Sequence, residues 1–144
     1  LATVLLRHER EGTVHHDWML EPPLAPVHQV AAAQPRLWTA RVGPSSDQWP
    51  TLRHFELEVI GRHRRDFLTY QGSLGGVRGE VCRVDEGGFV PFLWTASRIV
   101  IGLSLTRCGG LVEMVQFGEN RWQVAFKSKN CLPWRPAMAV RQRP

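Results

Sequence analysis

The feature that most constrains this chain is its punctuation. Short apolar runs alternate with glycine- and proline-rich breaks along nearly the whole length, and no helical repeat is sustained beyond about ten residues. Alternating runs lie at 2–8, 14–21, 36–42, 52–60, 66–71, 77–84, 98–106, 111–117 and 121–127. Between them stand turn-formers, clearest at Pro22-Pro23, Gly43-Pro44-Ser45-Ser46, Gly72-Ser73, Gly87-Gly88 and Gly109-Gly110. Many short strands separated by turn chemistry predict a mainly all-β fold, a small closed or partly open β-barrel with short helical turns. Those turns are expected near 94–98 and within 26–34. Two consecutive prolines cannot donate ladder hydrogen bonds, so the strand before them ends at Glu21. Residues 22–35 read as a surface loop, and 132–144, with Arg135, Arg141 and Arg143 among prolines, as an irregular basic tail.

The length of 144 residues predicts one domain over 1–144, large enough to bury a core without disulfides. Cys82, Cys108 and Cys131 form no close pair, which argues against a disulfide framework or a cysteine-rich zinc site. That usage makes a reducing, cytoplasmic compartment the expectation. No run of eighteen apolar residues occurs, so no membrane partner is expected. The net charge is +5, and sixteen of the eighteen basic residues are arginine. Guanidinium forks match phosphate geometry, so a polyanion such as nucleic acid is a reasonable partner.

Chemistry concentrates in three segments. In a strand over 14–21, alternation puts His15, Asp17, Met19 and Glu21 on one face. Val14, His16, Trp18 and Leu20 take the other, apolar face and pack on the core. His15 and Asp17 are spaced to hold a divalent metal, with His8 returning from the preceding strand as a third ligand. His-x-Asp pairs on strands also serve as plain surface hydrogen bonds. The second segment sets Arg62, Arg64 and Arg65 around His63 at the start of a strand, a grouping able to hold phosphate and donate a proton, or simply a solvated charged turn. The third, Gly72-Ser73-Leu74-Gly75-Gly76-Val77-Arg78-Gly79, lacks the helix that a phosphate-binding loop needs and reads as a glycine-rich hairpin.

Taken together, the segments resemble the 3'-phosphoesterase domain of bacterial DNA ligase D and its short stand-alone relatives. The likeness rests on His8, then His15-His16-Asp17-Trp18-Met19-Leu20-Glu21, then Leu37-Trp38-Thr39-Ala40, then His63 through Gly72, and lastly Gly75 through Gly87, in order over most of the chain. It implies a metal-dependent phosphoesterase that removes 3'-phosphates, and trims 3' ribonucleotides, at the ends of DNA or RNA-tipped DNA during end repair. It implies His8, His15 and Asp17 as ligands of Mn²⁺, with Zn²⁺ or Co²⁺ as substitutes. It implies His63 as the catalytic group at the scissile phosphate, Glu21 in support, and Arg41, Arg62, Arg64 and Arg65 as phosphate clamps. It differs from the family in three places: His8 to His15 is one residue longer, Met19 replaces an arginine and Phe67 replaces a tyrosine. The length leaves no room for a ligase or polymerase, so such a partner is expected as a separate chain.

Two other classes compete. A decayed site would leave a nucleic-acid end-binding module without turnover. His15 and Asp17 with His63 also spell the Fe(II) facial triad of an oxygenase. Of the tryptophans, Trp18 and Trp38 are expected in the core, and Trp49 on the surface as a stacking platform for a terminal base.

Overall fold

The structure, a computed structural model, describes residues 1–23, 36–43, 48–49 and 51–131. The expectations for the loop and helical turn within 24–35, and for the tail at 132–144, lie outside the described residues. Nine antiparallel strands follow in chain order: β1 (Ala2–Arg10), β2 (Thr13–Leu20), β3 (Leu37–Val42), β4 (His54–His63), β5 (Gly72–Ser73), β6 (Glu80–Trp94), β7 (Arg98–Leu105), β8 (Cys108–Gln116) and β9 (Arg121–Cys131). The sheet order is β1-β2-β3-β4-β9-β8-β7-β6-β5, and a further pairing of β1 with β6 closes eight strands into an uneven, roughly barrel-like ring. The mainly β, barrel-like expectation holds.

The ring follows from alternation. Leu5, Trp18, Leu20, Trp38, Leu57, Phe89, Ile101, Met114 and Trp122 come from all eight ring strands and form one interior cluster. Within it the Trp38 and Trp122 rings meet edge to face at 5.7 Å, an aromatic geometry that adds to the area buried. Trp49 belongs here too. It is 2% exposed, set against Trp18 at 5.1 Å and Phe55 at 5.0 Å, which corrects its expected surface role. Its neighbours in sequence form a turn, but a ring of this size has space for an indole inserted from the loop, and burying it outweighs the polarity of the flanking residues.

A second, smaller cluster lies on the opposite face of β1 and β2. Val4, Leu6 and Met19 there join Leu37, Phe67 and Val81. Residues 66–71, expected as a strand, instead form a 3₁₀ turn at Arg65–Leu68. The apolar outer face of β1 and β2 needs a cover, and one turn that drops Phe67 onto it buries more than an isolated edge strand would. The charged residues before it are displaced accordingly, with Arg62 and His63 ending β4 rather than opening a strand.

The glycine pairs also depart from expectation. Gly87-Gly88 lies within β6, and Gly109-Gly110 within β8. A Cβ on Gly87 would sit 1.9 Å from the Ser104 carbonyl oxygen, so glycine here permits a close strand approach rather than a turn. As a result β6 runs through to Trp94, far past the expected end at Val84. Residues 95–98 make a tight hairpin turn, with Thr95 N–H donating to the Arg98 carbonyl at 2.9 Å, in place of the expected helical turn. Val14, expected in the core, is 40% exposed because it lies out near the β1–β2 turn.

Candidate metal and phosphate site

The site begins with one hairpin. Glu11 and Gly12 join β1 to β2 with φ of 50° and 79°, the positive angles that a two-residue type I′ turn requires at both positions. That turn fixes the register, which sets Leu6 opposite Asp17 and His8 opposite His15. Buried hydrogen bonds hold the hairpin. The Trp18 indole donates to Thr3 Oγ1 at 2.9 Å, and Thr3 donates to the Met19 carbonyl at 2.8 Å.

His8, His15 and Asp17 thus converge, with one potential ligand atom from each lying within 4.8 Å of the others. His8 Nδ1 is 3.1 Å from His15 Nε2, which is 3.4 Å from Asp17 Oδ2. The proton positions follow from the outer partners. His8 Nε2 lies 2.7 Å from the Arg78 carbonyl oxygen, which can only accept, so His8 carries its proton there and presents a lone pair at Nδ1. Arg41 Nη2, a donor only, lies 3.1 Å from His15 Nε2. If Arg41 donates to it, His15 Nε2 is unprotonated, and a cation bound there would take that lone pair in place of the Arg41 hydrogen bond. Two lone pairs and a carboxylate then face one small volume, an arrangement that fits a cation. Asp17 is 5% exposed and its Oδ1 is buried without a hydrogen-bond partner, leaving acceptor capacity for the same ion. The His15 pKa is lowered, chiefly by burial and further by the Arg41 and His8 charges against the opposing pull of Asp17. Burial therefore disfavours a proton as the neutralising charge. Two imidazoles and a carboxylate are donors that could hold a divalent ion.

Beside this group lies a cavity of about 300 Å³. Leu6, Met19, Phe67, Leu74 and Val81 give it an apolar floor, while His8, Asp17 and His63 supply titratable groups. His63 reaches it from the end of β4, opposite Leu37, with its ring edge to face on Phe67 at 5.7 Å. Its Nδ1 is buried with no hydrogen-bond partner. Burial lowers its pKa, and the His8, Arg36 and Arg41 charges add to that effect while Asp17 opposes it. His63 is not in the clustered ligand set, which is made up of His8, His15 and Asp17.

The arginines divide sharply. Arg10, Arg36, Arg62, Arg64 and Arg78 line the cavity, and none makes an ion pair among the described residues. Arg53 is the one other described arginine without such a pair. Arg41 is engaged with His15 and with Asp17, at 3.6 Å. Arg65, expected to clamp phosphate, is instead bound to Glu21 at 2.5 Å, and neither residue lines the cavity. Glu21 also accepts the Ala2 N–H at 2.8 Å. Burial would raise its pKa, but the Ala2 and Arg65 hydrogen bonds and the nearby positive charges outweigh it and lower the value. Its observed role is to pin the 65–68 turn, and so Phe67, to the start of β1.

Sequence reading missed Arg10, Arg36 and Arg78. Only Arg78 carried a signal, an arginine embedded among glycines. Gly79 explains that context. Its φ is 84° and a Cβ would meet the Glu9 carbonyl oxygen at 2.0 Å, so only glycine lets the loop enter β6 tight against β1. The glycine-rich hairpin expectation holds, since Gly72 and Ser73 pair with Val81 and Glu80. Comparison with the models of known protein families and with curated proteins finds no match for this chain.

Proposed function

We propose that the chain is a divalent-metal-dependent phosphoesterase acting on the 3' ends of DNA or RNA-tipped DNA, with DNA end repair as its setting. The observation that carries this reading is a His8–His15–Asp17 ligand group, two members of which, His8 and Asp17, line one cavity with five arginines that have no carboxylate partner among the described residues. Unpaired arginines crowded together repel, and a phosphate relieves that repulsion through paired, charge-assisted hydrogen bonds. A bound Mn²⁺-type ion supplies charge for a nonbridging phosphate oxygen. The arginines orient the phosphorus for in-line attack by water. Burial lowers the His63 pKa, and an entering phosphate dianion acts the other way, since a nearby opposite charge favours imidazolium and so lets His63 carry a proton. His63 then gives that proton to the departing 3' oxygen.

The test uses purified protein stripped with a chelator and reconstituted with Mn²⁺, given an oligodeoxynucleotide that ends in a 3'-phosphate. Release of inorganic phosphate is expected with Mn²⁺, and is lost in His15→Ala and Asp17→Ala. Full release by the stripped protein overturns the reading. Salt-sensitive binding without turnover across Mn²⁺, Zn²⁺ and Co²⁺ overturns it in favour of an end-binding module. Consumption of 2-oxoglutarate with Fe(II) overturns it in favour of an oxygenase.

A further inference from the structure

A second cavity of about 280 Å³ adjoins the first. Arg64, Phe67, Leu74 and Arg78 line both, so these four side chains form a shared wall between two lobes of one groove. Each lobe is near the small end of the size range of ligand sites, roughly 300–1,000 Å³. The lobes differ in chemistry. The first holds His8 and Asp17 of the metal-ligand group, His63, and the five arginines without an ion pair among the described residues. The second adds Asp66, Tyr70 and Ser73, and none of the histidines.

Tyr70 is 41% exposed; Phe92 and Phe117 are more exposed, but of the three only Tyr70 lines this lobe. Its ring is nonetheless held. The Tyr70 hydroxyl donates to the Ser73 carbonyl, and its backbone N–H donates to the Asp66 carbonyl at 2.9 Å. An aromatic face fixed in this way is a stacking surface with little ordering entropy left to lose. The Asp66 carboxylate makes the lobe unwelcoming to a second phosphate but suits the N–H groups of a neutral heterocycle. Arg64 and Arg78 belong to the wall that the two lobes share.

We propose that this second lobe is a nucleoside subsite. The terminal base of a strand lies on Tyr70 with its edge toward Asp66, while the 3'-phosphate it carries sits in the first lobe. The proposal deepens the phosphoesterase reading and rests on its phosphate lobe. It restricts the substrate to a nucleotide-bearing end rather than any phosphomonoester.

The experiment reads equilibrium binding of the metal-loaded full chain, with inorganic phosphate release recorded in parallel. Two fluorescein-labelled single-stranded oligodeoxynucleotides are compared, one with a base at the 3'-phosphorylated residue and one abasic there. Stacking on an aromatic side chain predicts roughly tenfold tighter binding of the base-bearing strand. Tyr70→Ala closes that gap, and Tyr70→Phe, which keeps the ring, preserves most of it. Circular dichroism of each variant checks the fold. Equal affinity for the two strands in the wild type overturns the subsite, as does a gap unchanged by Tyr70→Ala. Preference for phosphotyrosine over the base-bearing strand also overturns it. Hydrolysis with no base preference removes the subsite and leaves the phosphoesterase reading standing. A Tyr70-dependent base preference without hydrolysis supports the subsite and removes the enzyme.

Discussion

Asp17 shows most plainly what single residues here are arranged to do. It is buried, its Oδ1 has no hydrogen-bond partner, and Arg41 is 3.6 Å away, beyond hydrogen-bond reach. A buried carboxylate in that position costs stability, because its lost hydration is only partly replaced. Asp17→Asn is therefore expected to leave the metal-free chain as stable or more so, while Mn²⁺ affinity falls at least tenfold. Thermal unfolding with and without Mn²⁺, together with titration calorimetry, checks this; a metal-free Tm several degrees lower would make Asp17 a structural residue instead. Asp17 and its two histidine neighbours were legible in the sequence because a strand hairpin makes their meeting a matter of parity and register. Arg36 and Arg78 were not, because nothing local to either signals that β3 and the 74–79 loop converge on one cavity. Trp49 misled for the related reason that polar, turn-forming neighbours describe the backbone path and not where one large side chain goes.

At the scale of elements, alternation located β1, β2, β3 and β7 closely, and failed where glycine served close approach instead of turning. Gly87 in β6 and Gly109 in β8 look like turn residues until the neighbouring strand occupies the space a Cβ would need. The 65–68 turn was hidden for a different reason. Its sequence is strand-like, and its conformation is set by the Val4–Leu6–Met19 face that it helps to bury. Charges tie some elements together. Glu113 on β8 accepts from Arg98 on β7 at 2.7 Å and lies 3.3 Å from Lys127 on β9. The Arg98 hydrogen bond, aided by Lys127 and the charges of both, lowers the Glu113 pKa against a smaller opposing effect of burial. A carboxylate held below its unfolded value stabilises the fold above the usual carboxylate range, and that contribution is lost as pH falls through the lowered folded value. Glu113→Gln is expected to cost stability at neutral pH and little or none near pH 2. Urea unfolding at the two pH values checks it, and an equal cost at both would show that the charge is irrelevant.

For the whole molecule, closure is the governing fact. Ala2 stands opposite Gly88 and Glu9 opposite Glu80, so the first strand is sealed by residues far along the chain. Loop-closure entropy must be overcome before those contacts form, which places β proteins of this kind in the millisecond-to-second folding range. Stopped-flow refolding is expected to show such a phase, and Gly79→Ala, which forces a Cβ into the Glu9 carbonyl, to lower stability by roughly 2 kcal/mol or more. Wild-type-like unfolding of that variant would mean the β1–β6 seam yields easily. Closure has another consequence. Each of the eight ring strands has a bonded neighbour on both sides over part of its length, and β5, with two residues, is the exception. Bare backbone is therefore confined to strand ends, such as residues 90–94 of β6, which run past β1 and pair with β7 alone, so another chain could extend the sheet there over only a few residues.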